Sequence, residues 1–251
     1  MGLSKNRIKY IQSLKEKKHR SEHNTFVAEG VKLVFDLLAT CRCQFIAALP
    51  EILNAHPEIK AEEVVEASMS ELKRATFLKT APQVIAVFYR PDDVIEQIDL
   101  NEQLSLVLDG VQDPGNVGAI IRIADWFGIE HVICSEDSAD IFNPKTVQAT
   151  MGAIARVKVH YTGLVSFLQS YSHLPVYGTF LEGADIYSEP LSGNGFIVMG
   201  SEGRGIGNEI AGQINRKLFI PNFPAGRATS ESLNVAAATA VVCAEFRRRV
   251  R

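Results

Sequence analysis

From Leu104 onward, short apolar runs alternate with longer stretches in which apolar residues recur at helical spacing. The runs predict strands at 104–109, 131–135, 156–160, 175–180, 196–200 and 217–221. Helices are expected near 116–127, 143–153, 163–171 and 207–214, with a last one over 232–249. That rhythm predicts an α/β fold, a mainly parallel sheet with helices on both faces. The first ninety or so residues read as a smaller α/β module. Ile8, Ile11 and Leu14 mark a helix over 6–18, and a second apolar helix follows at 31–38. Strands are expected at 26–30, 45–49, 63–67 and 83–88, with helices near 50–55 and 69–78. The expected organisation is a first domain over 1–95, a polar linker over 96–103 and a second domain over 104–251.

Composition narrows the class. At 251 residues, 46% hydrophobic and 22% charged, the chain resembles ordinary globular proteins. No apolar run reaches the roughly 18 residues of a membrane span, and the basic start lacks the apolar core of a signal peptide, so a cytoplasmic address without membrane contact is expected. Cys41, Cys43, Cys134 and Cys243 form no C-x-x-C pair and no Cys/His zinc spacing, so neither disulfide nor metal is expected. His19, His23 and His56 read as surface residues and Trp126 as core.

Charge changes the picture through its distribution. The net charge is −3, yet the first twenty residues carry Lys5, Arg7, Lys9, Lys15, Lys17, Lys18 and Arg20 against Glu16 alone. Arg247, Arg248, Arg249 and Arg251 make the other end basic too. Such clusters bind phosphate chains by counterion release, or are simply solvated helix faces.

Three strand ends carry chemistry. After Leu106-Val107-Leu108 comes the loop Asp109-Gly110-Val111-Gln112-Asp113-Pro114-Gly115-Asn116, with Arg122 two turns into the next helix. In open α/β sheets ligands bind at such crossings, and an amide with a guanidinium can grip an oxygen-rich substrate. Phe196–Met199 runs into Gly200-Ser201-Glu202-Gly203-Arg204-Gly205-Ile206-Gly207, whose backbone can approach a ligand closely. It matches neither the dinucleotide-binding G-x-G-x-x-G nor a P-loop. Ile220-Pro221 precedes a loop over 222–231 and then Ser232-Leu233-Asn234-Val235, where Ser230 or Ser232 could cap the last helix.

In this order the three stretches resemble the SpoU (TrmH) family of RNA ribose 2′-O-methyltransferases of the SPOUT superfamily. Asp113–Arg122, Met199–Gly205 and Ile220-Pro221 with Ser232–Val235 match its three motifs, and the first ninety residues resemble the ribosomal-protein-like substrate-binding domain of many members. The loop over 222–231 is longer than the family's usual one, and Ala236 stands where Ser is common. The resemblance implies a C-terminal trefoil knot, a rare exception to unknotted folds, and a homodimer. It implies S-adenosylmethionine held by Thr179, Phe180, Gly200, Ser201, Glu202, Gly203, Ile220, Pro221 and Leu233. It implies catalysis by Asn116, Arg122, Glu202, Ser232 and Asn234. RNA, ribosomal rather than transfer, would then be gripped by Lys5, Arg7, Lys9, Lys17, Lys18, Arg20 and Arg122.

Methyl transfer to a ribose hydroxyl needs in-line positioning and a proton acceptor. A guanidinium is a poor base, so Arg122 is expected to orient the ribose or steady a developing alkoxide, while Glu202, phosphate or water takes the proton. Other readings are a non-catalytic RNA-binding protein with a vestigial methyltransferase fold, and a dinucleotide-dependent enzyme. The joint presence of Asn116, Arg122, Glu202, Ser232 and Asn234 argues against mere RNA binding.

Overall fold

The computed structural model describes residues 2–91, 98–224, 227–228 and 230–249. The chain folds as two compact units: Met1–Asp92 with Asp140–Arg156, and Asp93–Ala139 with Val157–Arg251. The expected linker over 96–103 lies partly outside the described residues.

In the first unit, α1 spans Lys5–Ser13 and α2 Lys17–His23, where the periodicity predicts one helix over 6–18. The break has a physical cause. Arg20 Nη1 donates to the carbonyls of Leu14 and Lys15 at 2.8 and 2.6 Å, satisfying backbone that a continuous helix would have used. Strand β1 (Thr25–Glu29), helix α3 (Val31–Leu38), β2 (Cys43–Ala48), α4 (Pro50–Ala55), β3 (Glu63–Glu66), α5 (Met69–Ala75) and β4 (Val84–Tyr89) follow. The sheet order is β1-β4-β2-β3, with β2 and β3 parallel and the other pairs antiparallel. Side chains alternate across it. Phe26, Ile46 and Phe88 pack on one face with Leu37, while Phe45 and Val87 pack on the other with Ile11, Leu14 and Leu72.

The second unit holds β5 (Leu104–Asp109), α6 (Pro114–Trp126) and β6 (His131–Cys134). The chain then leaves it. Helix α7 (Pro144–Ala149) belongs to the first unit, where Val147 enters the core and Phe142 packs on Phe26 at a ring separation of 4.9 Å. The expected helix over 143–153 ends early because Met151 and Gly152 take left-handed φ values of 51° and 97°.

The second unit resumes with β7 (Lys158–Tyr161), α8 (Leu164–Ser170), β8 (Val176–Asp185), β9 (Gly195–Gly200), α9 (Asn208–Ala211), β10 (Arg216–Phe219) and α10 (Val235–Arg249). The order is β10-β8-β9-β5-β6-β7, and every pair is parallel. Leu106, Val107 and Leu108 are inaccessible to solvent, as are Ile197 and Val198. Continuous apolar runs of this kind suit strands covered on both faces. Strand order reverses between β5 and β9, the place where open parallel sheets form ligand crevices. Among the described residues, no helix is long and apolar enough to cross a membrane.

Candidate functional site

The crevice is assembled from local capping and tight turns. Asp113 caps α6, its side chain accepting from the Asn116 backbone N–H at 2.8 Å, so Asn116 sits in the first turn. On the neighbouring strand, Gly200 must be glycine. A Cβ there would collide with the backbone of Gly205 and Ile206. Ser201 and Gly205 close the turn with paired backbone hydrogen bonds of 3.2 and 2.8 Å, which leaves Glu202 exposed at its tip. Asn234 supplies the third wall. Its Oδ1 accepts from the N–H groups of Ala236 and Ala237 at 3.0 and 3.3 Å, so Asn234, and neither Ser230 nor Ser232, caps α10.

These elements bring three predicted residues into one network. Asn116 Nδ2 donates to Glu202 Oε1 at 3.0 Å, and Asn234 Nδ2 donates to Asn116 Oδ1 at 3.1 Å and also to Glu202 Oε1. The Val235 backbone N–H approaches the same oxygen at 3.4 Å. Glu202 Oε1 is therefore the common acceptor, and Oε2 carries no hydrogen bond among the described residues. Arg122 is exposed on α6 and makes no hydrogen bond or ion pair among the described residues. Ser232 is exposed and likewise unbonded among them, so the structure does not join it to the network.

Of the residues expected to hold the methyl donor, Thr179 and Phe180 lie within β8, Gly200 ends β9 with Ser201–Gly203 after it, and Ile220 and Pro221 follow β10. β8, which carries Thr179 and Phe180, pairs with both β9 and β10. Thr179 Oγ1 lies 3.7 Å from Met199 Sδ, and Lys217 Nζ stands 5.1 Å from the centre of the Phe180 ring. Ile220 and Pro221, after β10, are half-buried, Leu233 is half-exposed, and a Cβ on Gly203 would meet nothing within 4 Å.

The basic residues divide sharply. Lys5, Lys9, Lys17 and Lys18 are exposed. Arg7 is ion-paired with Glu63 and lies over the Phe45 ring. Arg20 departs from expectation: only 2% exposed, it bonds Asp140 Oδ2 at 2.6 Å as well as two backbone carbonyls, so it cannot also hold RNA. The basic end of α10 is also committed. Arg247 donates to the carbonyls of Phe127 and Gly128, and Arg248 and Arg249 pair with Glu245. Trp126, expected in the core, is 85% exposed and, with Phe127, Ala244, Arg247 and Arg248, lines a cavity of about 480 Å³.

Sequence reasoning missed Arg204 and Asp109. Arg204 Nη2 lies 3.2 Å from Asp109 and 3.6 Å from Asp137. The signal was available in the two carboxylates, Asp109 and Asp113, that flank one loop.

Comparison with known proteins agrees along the chain. The model of the SpoU rRNA Methylase family matches residues 103–244, and that of the MRM3-like substrate binding domain matches residues 5–86. The 23S rRNA (guanosine(2553)-2′-O)-methyltransferase RlmP of Bacillus subtilis is 30% identical, over 96% of each chain. A solved TrmH-family structure from Porphyromonas gingivalis is 44% identical with a TM-score of 0.90, over 99% of this chain and 100% of that one. The AdoMet-bound rRNA methyltransferase of Sinorhizobium meliloti is 28% identical with a TM-score of 0.88, over 100% of this chain and 97% of that one.

Proposed function

We propose that this chain, which belongs to the SpoU rRNA methylase family, transfers a methyl group from S-adenosylmethionine to a ribose 2′-hydroxyl of ribosomal RNA. The observation that carries the site assignment is the convergence of Asn116 and Asn234, each at the start of a helix, on one carboxylate oxygen of Glu202.

S-Adenosylmethionine supplies an electrophilic methyl on a sulfonium. Thr179, Phe180, Gly200, Ser201, Gly203, Ile220, Pro221 and Leu233 would hold it, mostly through backbone and apolar surface. The protein's own work is positioning and charge. With Glu202 Oε1 filled by donors, Oε2 remains to accept the hydroxyl proton. Asn116 and Asn234 fix the carboxylate so that no reorganisation is needed when charge moves. Arg122 is free to clamp a phosphate or a developing alkoxide, since a guanidinium is a forked donor that stays charged. Ser232, one residue before Leu233, would meet the ribose once RNA is bound. Lys5, Lys9, Lys17 and Lys18 provide an exposed basic face for the RNA chain, with Arg7 at its edge.

The domain limits 1–95 and 104–251, apart from residues 140–156 that fold with the first unit, the C-terminal knot and the cytoplasmic address belong to the same reading. So does a homodimer. An 85% exposed tryptophan beside Ala244 is a large apolar anchor, of the kind enriched at interface centres, and a second copy of this chain is its occupant. Light scattering of wild type and Trp126→Glu would test it: a wild-type monomer ends the dimer reading.

Mapping ribose methylation in total RNA with and without the protein tests the activity. Loss of one 2′-O-methyl in ribosomal RNA is expected. Loss confined to transfer RNA overturns the substrate, and loss of none, with no binding of S-adenosylmethionine, overturns the reaction.

A further inference from the structure

The end of β5 carries two carboxylates, and only Asp113 has a conventional local task. Asp109 is 5% exposed, in register with Gly200 of β9. A carboxylate is costly to bury unless fully engaged, so its partners indicate its task. Oδ2 accepts the Gly207 N–H at 2.6 Å and Oδ1 accepts Arg204 Nη2 at 3.2 Å. Both donors belong to the glycine-rich loop that also presents Glu202. Gly110, beside Asp109, has a φ of +65°, and Arg204 Nη2 fills the space a Cβ would take. Gly110 N–H donates to Ser135 Oγ at 2.8 Å, and Ser135 Oγ donates to Asp137 Oδ1 at 2.5 Å. Asp137 in turn faces Arg204.

The loop is thus fastened at two places. Its near half closes on itself through Ser201 and Gly205, with Arg204 N–H also donating to Ser201 Oγ at 3.3 Å. The far half is held by Asp109, which bonds both Gly207 and Arg204, while Asp137 stands 3.6 Å from Arg204 alone. A hydrogen bond within the turn fixes its shape but not its placement against β5. The bonds to Asp109 fix the placement.

We infer that Asp109 is a positioning residue for methyl transfer: it docks the glycine loop, through Gly207 and Arg204, so that Glu202 meets Asn116 and the loop backbone meets the methyl donor. The two carboxylates of one motif then serve the two sides of the site. Asp113 orients Asn116, and Asp109 orients the loop of Glu202.

This rests on the methyltransferase reading, so wild-type binding of S-adenosylmethionine and methylation of rRNA come first; their absence would defeat that reading and not this one in particular. With wild type active, Asp109→Asn, Asp109→Leu and Arg204→Met are compared by calorimetric titration with S-adenosylmethionine and by steady-state kinetics. Asp109→Leu, which loses both bonds, should weaken donor binding by about tenfold or more and lower kcat, with KM for RNA within about twofold of wild type. Asp109→Asn keeps an acceptor for Gly207 and should recover part of both losses. Arg204→Met, which leaves the buried carboxylate in place, should lower kcat by about threefold. Should Asp109→Leu not fold, the other two variants carry the test. Unchanged donor affinity and kcat in Asp109→Asn and Arg204→Met, or a loss that appears only in KM for RNA, would overturn the proposal.

Discussion

Arg20 and Arg122 are both expected from the sequence to grip RNA, and the structure uses them in opposite ways. Arg20, in the first unit, is buried and has every partner it needs: two backbone carbonyls and Asp140. Arg122, in the second, is exposed and has none among the described residues. The difference is general to the two units. In the first, polar groups mostly serve the fold, as in the capping box of Ser68 and Glu71 and the carboxylate of Glu29 held by Thr76 and Phe77. In the second, the strand ends gather side chains whose partners are one another, at the surface, where a substrate can reach them.

The largest expected effect tests the structural side. Arg20→Met leaves Asp140 without its cation and two carbonyls without a donor, and should destabilise the first unit by about 3 kcal/mol. Denaturant unfolding followed by a first-unit probe measures this, while affinity for S-adenosylmethionine should be unchanged. A variant as stable as wild type would erase the contrast. On the other side, Arg122→Ala should leave unfolding unchanged and cut kcat by about a hundredfold or more, the scale of losing one transition-state donor. Arg122→Lys separates its roles, because full activity with lysine would exclude a bidentate contact.

Smaller effects sharpen the picture. Replacing Lys17 and Lys18 together by Gln should raise KM for RNA without changing kcat, and lower the slope of log affinity against log salt by about 1 to 2. An unchanged slope would remove them from the RNA face. The smallest effect is a pair of opposite pH dependences. Hydrogen bonds from Arg248 and Arg249 hold Glu245 down, from an ordinary 4.5 to about 2, so its stabilisation is present above 4.5 and lost as pH falls toward 2. Burial pushes Glu29 up, opposed by its bonds from Thr76 and Phe77. Its stabilisation is present below 4.5 and lost as pH rises through the raised value. Thermal midpoints across about pH 3 to 8 should show Glu245→Gln flattening the loss on the acid side and Glu29→Gln flattening the loss of stability as pH rises above 4.5.

The element pattern of the second unit is legible in the chain alone, because buried parallel strands are written as unbroken apolar runs such as Leu106–Leu108. So are the positions of Asn116, Glu202 and Asn234, because strand ends, tight glycine turns and helix caps are local features. The chain alone could not determine who bonds to whom. The return of residues 140–156 to the first unit, the exposure of Trp126, and the capture of Arg20 by Asp140, of Arg247 by Phe127 and Gly128 and of Arg249 by the Glu189 carbonyl all depend on residues distant in the chain. Only the order of the six strands places Asp109 beside the glycine loop and three motifs around one carboxylate oxygen. Local periodicity records which face of an element is apolar; the partner of a charge is chosen by packing.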